Sequence, residues 1–176
     1  RFSSPAPTNA VNSMHERFMS RALELAKIAE GRTNPNPAVG AVLVSSGKIV
    51  GEGYHHFAGS AHAEVEAIRD AGPEAAGSTI YVTLEPCSSS GKTPPCTDLV
   101  LASGVKRVVV GLLDPDERHR GRGIELLRSK GVEVDLIEGA TELDLHFARW
   151  TARERLRRPR PWTVAKWAQT RTGQLT

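Results

Sequence analysis

The 176 residues carry 23 Lys and Arg against 20 Asp and Glu, with a hydrophobic share of 39%. That is enough chain for one domain with a real core, and the composition excludes disordered and fibrous classes. Two cysteines are too few for a disulfide scaffold and suit a reducing compartment, and no apolar run approaches the roughly 20 residues of a membrane span.

The formal net charge of +3 is local: residues 149–160 (RWTARERLRRPR) hold six Arg and one Glu, so the other 164 residues carry a net −2. A slightly acidic body advertises no basic groove, so nucleic acid is not an expected partner. The Arg run reads as a solvated helix end and linker.

Residues 1–13 (RFSSPAPTNAVNS) are polar, proline-bearing and without periodicity. They read as a disordered leader, or as the remnant of a transit peptide, which would place the protein in a plastid rather than the cytoplasm. Apolar residues at 18, 19, 22, 23, 25, 26 and 29 then form the stripe of an amphipathic helix over 16–29, stopped by Gly31. Residues 38–44 (AVGAVLV) and 49–55 (IVGEGYH) flank a Gly-containing turn, the pattern of a β-hairpin. A helix is expected over 62–70, a buried strand at 79–83, and a helix over 94–103 that begins at a proline pair and stops at Gly104. A strand at 107–111, a helix over 123–130, a strand at 133–137 and a longer helix over 140–157 complete the domain.

Helices alternating with short apolar strands imply a parallel section with the opening hairpin antiparallel to it. The expected fold class is α/β: a three-layer α/β/α sandwich around a mixed five-stranded sheet. Prolines at 159 and 161 break the chain, and 162–167 (WTVAKW) restarts as a strand that cannot bury a core alone. The expected organisation is therefore a leader at 1–13, one domain over 14–157, and at 158–176 a linker with the first element of a second domain. Trp150, Trp162 and Trp167 read as packing residues at that junction.

The chemistry-bearing residues lie at His62-Ala63-Glu64, Glu85-Pro86-Cys87 and Pro94-Pro95-Cys96. One imidazole and two thiolates are three zinc donors, and a catalytic zinc keeps its fourth position for water. Glu64, two residues past His62, is free to carry protons. Cys87 and Cys96 bracket the loop entering the helix over 94–103, and the starts of that helix and of the one at His62 would meet at one point, where their dipoles favour thiolates. Glu85 reads equally as a support for the cluster or as a helix cap. Asn36 sits between two prolines, and His55 closes a strand.

His62-x-Glu64 with Pro86-Cys87 resembles the zinc nucleobase deaminases, whose pattern is H-x-E followed by P-C-x-x-C. Cys96, however, lies nine residues after Cys87 rather than three. A narrower family accounts for the gap. The HAE triplet, TLEPC at 83–87, GKTPPC at 91–96, VKRVVV at 105–110, Asp114-Pro115 and Gly121-Arg122-Gly123 together resemble the riboflavin-biosynthesis pyrimidine deaminases. So do TNPNPAVGAV at 33–42 and GEGYH at 51–55. The resemblance spans about 14–160, and 162–173 (WTVAKWAQTRTG) resembles the start of the NADPH-dependent reductase that often follows, although Arg171-Thr172-Gly173 departs from its Leu-Asp-Gly.

The resemblance implies a cytidine-deaminase-like fold, one zinc per chain on His62, Cys87 and Cys96, and Glu64 as proton shuttle. It implies a phosphorylated aminopyrimidine nucleotide as substrate, with Asn36 and His55 touching it and Lys92 at its phosphate. NADPH enters only with a full reductase domain, and a homo-oligomer is expected. Two departures bear on the phosphate: Ser89 stands where the family has His, and Asp116 where it often has Asn. Both should weaken anion binding unless Lys92, the serine hydroxyls or His119 compensate. The competing readings are a deaminase of another nucleoside or a tRNA base, and a silent zinc-stabilised scaffold for a reductase.

Overall fold

The computed structural model describes residues 8–89, 94–137, 142–144, 146 and 147. The chain opens with helix α1 (Thr8–Ile28). Its start at Thr8 takes in part of the segment expected to be a disordered leader. The stripe from Phe18 to Ala29, buried throughout except at its exposed turns, anchors the helix, and each residue added upstream then gains a hydrogen bond for its own ordering.

Strands β1 (Gly40–Ser45) and β2 (Lys48–Tyr54) form the expected antiparallel hairpin. It turns on Ser46 and Gly47 at φ 50° and 74°, the doubly left-handed turn that matches strand twist. Then follow α2 (Ala63–Ala71), a single 3-10 turn (Gly72–Ala75), β3 (Thr79–Val82), α3 (Cys96–Ala102), β4 (Arg107–Val110), α4 (Arg122–Ser129) and β5 (Glu133–Leu136). Residues 142–144, 146 and 147 are helical, inside the helix expected over 140–157. The rest of that helix, the boundary at 157, the three tryptophans and the strand expected at 162–167 lie outside the described residues.

The sheet order is β2-β1-β3-β4-β5. β1 is antiparallel to both β2 and β3, whereas β3, β4 and β5 run parallel. The mixed five-stranded α/β/α architecture is thus the one the crossover pattern implies.

Strand alternation sends Ala41, Leu43, Ile80, Val82, Val108 and Val110 to one face, where α2, α3 and α4 cover them. Val42, Val44, Tyr81 and Val109 face α1 together with Leu143 and Phe147. The outer strands carry charge: Arg21 of α1 grips both carboxylate oxygens of Glu52 on β2 at 2.8 and 2.9 Å. At the other end, Arg107 reaches Glu133 at 2.8 Å and Asp135 at 3.4 Å. Pairs this exposed contribute about 0–1 kcal/mol each.

Close packing is built from small residues. A Cβ on Gly51 or Gly53 would run into the α2 backbone at Ala63, Ala67 and Ala71, and one on Gly40 into α1 at Ala22 and Ala26. The helices therefore lie directly on the hairpin's main chain. Gly53→Ala should cost about 1–3 kcal/mol in urea unfolding; an unchanged midpoint would mean that α2 does not rest on the strand.

Candidate active site

In open α/β sheets ligands bind beyond the carboxyl ends of the strands. β3 and β4 are parallel neighbours, so the loops leaving Val82 and Val110 emerge side by side, tied by the Glu85 N–H to the Leu112 carbonyl at 2.8 Å. α2 points its first turn at the same place. His62 is the N-cap of α2, in extended backbone at ψ 161°. Cys96 is the first residue of α3, after Pro95 as N-cap.

These elements bring His62, Cys87 and Cys96 together, with their ligand atoms all within 4.8 Å of one another. His62 Nδ1 lies 3.2 Å from Cys96 Sγ and 3.6 Å from Cys87 Sγ. The Cys96 N–H points at Cys87 Sγ at 3.3 Å. Donors held around one tetrahedral zinc at ordinary bond lengths stand about 3.5 Å apart. The donor set and its spacing fit that ion.

The electrostatics of the cluster are uneven. Hydrogen bonding from the Cys96 thiol, helped by His62, pulls the Cys87 thiol down to about 4. Cys96, facing that thiolate while buried, is pushed up. Metal binding would release such a shared proton. Contact with Cys87 raises His62. Glu64 is 4% exposed, and burial, reinforced by the Cys87 charge, pushes its carboxyl up to about 7.

The cluster opens into a cleft of about 160 Å³ lined by Asn36, Pro37, Val39, His55, His62, Glu64, Leu84, Glu85, Cys87 and Asp114. His55 Nδ1 donates to the Ala61 carbonyl at 3.0 Å, which leaves Nε2 to accept from Asn36 Nδ2 at 3.2 Å. Burial lowers the His55 pKa, in keeping with a neutral ring. Its plane meets that of His62 edge-on, with centroids 5.4 Å apart.

Six of the seven residues singled out in the sequence thus share this pocket or border it; Lys92 lies outside the described residues. Two acidic pocket residues stand outside that set, one of them, Glu85, read from the sequence only as a support or a helix cap. Asp114 lines the wall, its carboxyl raised by burial, and Glu85 lies in the same wall. The signal for Asp114 was its place just past the parallel strand β4. Asp116, the departure expected to repel an anion, is occupied: Arg118 Nε lies 3.0 Å from each of its oxygens. Arg118 therefore offsets the Asp116 charge, and His119, one of the groups considered from the sequence, adds to it.

Comparison with known proteins agrees with the geometry. Residues 12–112 match the family described as the cytidine and deoxycytidylate deaminase zinc-binding region. The diaminohydroxyphosphoribosylamino-pyrimidine deaminase of Buchnera aphidicola is 50% identical over 124 residues, covering 70% of this chain and 84% of that protein. The riboflavin biosynthesis protein RibD of Aquifex aeolicus is 50% identical over 168 residues, 94% of this chain but 46% of the relative. The chain therefore spans just under half the length of that curated relative. The solved deaminase/reductase of Thermotoga maritima superposes with a TM-score of 0.78 at 45% identity, over 84% of this chain and 43% of that one. With its three-donor cluster at the mouth of α2 and α3 and its match across 12–112, the chain belongs to the cytidine and deoxycytidylate deaminase family, as a deaminase of the riboflavin-biosynthesis branch.

Proposed function

We propose that this chain hydrolyses the exocyclic amine of 2,5-diamino-6-(5-phosphoribosylamino)pyrimidin-4(3H)-one, giving the 5-aminouracil ribotide and ammonia. The observation that carries the reading is Glu64: a carboxyl 4% exposed, at the edge of a His62, Cys87 and Cys96 cluster, facing a cleft. The partners of this buried acid are its own N–H and the thiol of Cys96, so its desolvation is spent inside the donor cluster rather than on the packing around it.

His62, Cys87 and Cys96 would hold one zinc. When bound, such an ion supplies a Lewis acid that makes water nucleophilic near neutral pH. The chain's own part is proton handling and orientation. Water adds at the amine-bearing carbon, so a C–O bond forms and the C–N bond breaks. Glu64, its carboxyl near 7, takes the water's proton, passes it to the ring nitrogen and later gives one to the departing amine. Asn36 and His55, locked to each other, present a fixed polar edge to the base or ribose. Lys92 is assigned to the phosphate, and Arg118 cancels the Asp116 charge.

No described helix is long and apolar enough to cross a membrane. We assign the reaction to the cytoplasm, or to a plastid if residues 1–13 derive from a transit peptide, and NADPH only to a following reductase domain.

Three outcomes test this reading. Glu64→Gln should keep zinc at the native content, measured by atomic absorption, while turnover falls about 10²–10⁴-fold; surviving activity would remove Glu64 from the mechanism. Cys96→Ser, or dialysis of the native protein against a chelator, should strip both zinc and activity, with activity returning to the dialysed protein on adding zinc. Ammonia release should be seen from the ribotide, and from its dephosphorylated form with a KM roughly tenfold higher. Turnover confined to cytidine or tRNA would overturn the substrate.

A further inference from the structure

Glu85 lies in the pocket wall, takes no part in the chemistry above, and is 6% exposed. Its Oε2 accepts the Asp114 N–H at 3.1 Å and the Gly121 N–H at 2.8 Å, and its Oε1 accepts the Gly123 N–H at 2.9 Å. Its own N–H donates to the Leu112 carbonyl at 2.8 Å. One residue thus ties both ends of the loop that leaves β4 and enters α4, while Asp116 braces its middle through Asp114 Oδ1 and the His119 and Arg120 N–H groups.

Two of these donors belong to the start of α4, where Gly121 is the N-cap. First-turn N–H groups have no partner inside their helix, and a carboxylate is the group that satisfies them best. The receiving end is shaped for it. Gly121 sits at φ 80°, and a Cβ on Gly123 would strike the Pro86 carbonyl and come within 3.3 Å of Glu85 Oε1. The Gly121-Arg122-Gly123 turn is the receptor for this carboxylate.

Cys87, two residues further on, has ties of its own. Thr97 N–H donates to its carbonyl at 3.2 Å, and Cys96 N–H to its sulfur at 3.3 Å. Disturbing Glu85 therefore leaves the donor cluster held and releases the other wall, the one that carries Asp114.

We propose that Glu85 is a positioning residue: it sets where the Asp114 wall stands and so governs how tightly the substrate is held, without binding metal or moving a proton. This rests on the deaminase reading above. In Glu85→Gln an amide NH₂ replaces one acceptor oxygen, so at least one of the three N–H groups loses its partner.

The test compares native and Glu85→Gln protein at a temperature where both are folded. Amide resonances of Asp114, Gly121 and Gly123 should move in the variant, zinc content should hold, and KM for the ribotide should rise about tenfold with kcat within about threefold. An unchanged KM overturns the proposal, and so does loss of zinc together with kcat, which would make Glu85 a support for Cys87. Should Glu85→Gln not fold, Gly121→Ala strains one leg of the clamp and should raise KM about threefold; an unaltered KM there also overturns it. If the native protein releases no ammonia from the ribotide, it is the deaminase reading that fails. The amide shifts then decide separately, because unmoved resonances would dismiss the clamp and displaced ones would support it.

Discussion

The rest of the structure depends on the contact between α2 and the main chain of β2. Gly51 and Gly53 offer no side chains, and α2 answers with Ala63, Ala67 and Ala71, a spacing of four that lies along one helix face. Backbone therefore rests on backbone. A helix held that low over the sheet has little freedom to slide or tilt, since any side chain added to the contact would have to be expelled. His62 and Glu64 stand at its first turn and inherit that rigidity. A metal cluster needs donors placed to within a few tenths of an ångström, and it is the absence of side chains on one strand that supplies the placement.

Within the pocket, neighbouring groups are driven in opposite directions by two causes, burial and hydrogen bonding. Glu64 and Asp114 are raised by burial. Cys87, which gathers hydrogen bonds from Cys96 and His62, is lowered. His55 is lowered by burial and keeps its tautomer by donating to Ala61. Groups whose environments separate their pKa values are the means by which one cavity holds acid, base and neutral polar contacts at the same pH.

How much of this could be read from the chain alone followed from what kind of atom did the work. Histidine and cysteine announce themselves, because few residue types can ligate zinc, and the nine-residue step from Cys87 to Cys96 separated this branch from its relatives. The inner strands were legible because their faces are apolar on both sides, as in RVVV at β4, which is nearly sealed from solvent. Glu85 was legible only as a support or a helix cap, and which helix it caps was hidden, because its partners are main-chain N–H groups, which every residue but proline carries. Only the two glycines at 121 and 123 hinted that something approached closely. Arg118 was missed for a related reason: an i, i+2 pairing across a turn leaves no periodic trace. The start of α1 went astray because sequence pattern marks where a helix is buried, not how far it continues past its anchor.

The ion pairs at the two margins of the sheet bear on a different property. An outer strand offers unpaired N–H and C=O groups to any other extended chain it meets. Here one margin is clasped by Arg21 from α1 onto Glu52, and the other carries Arg107 between Glu133 and Asp135. A strand arriving at either side would meet charged side chains over the margin it has to join. The arrangement adds little to folding stability, but charge set beside an open edge disfavours the edge-to-edge pairing from which fibrils grow.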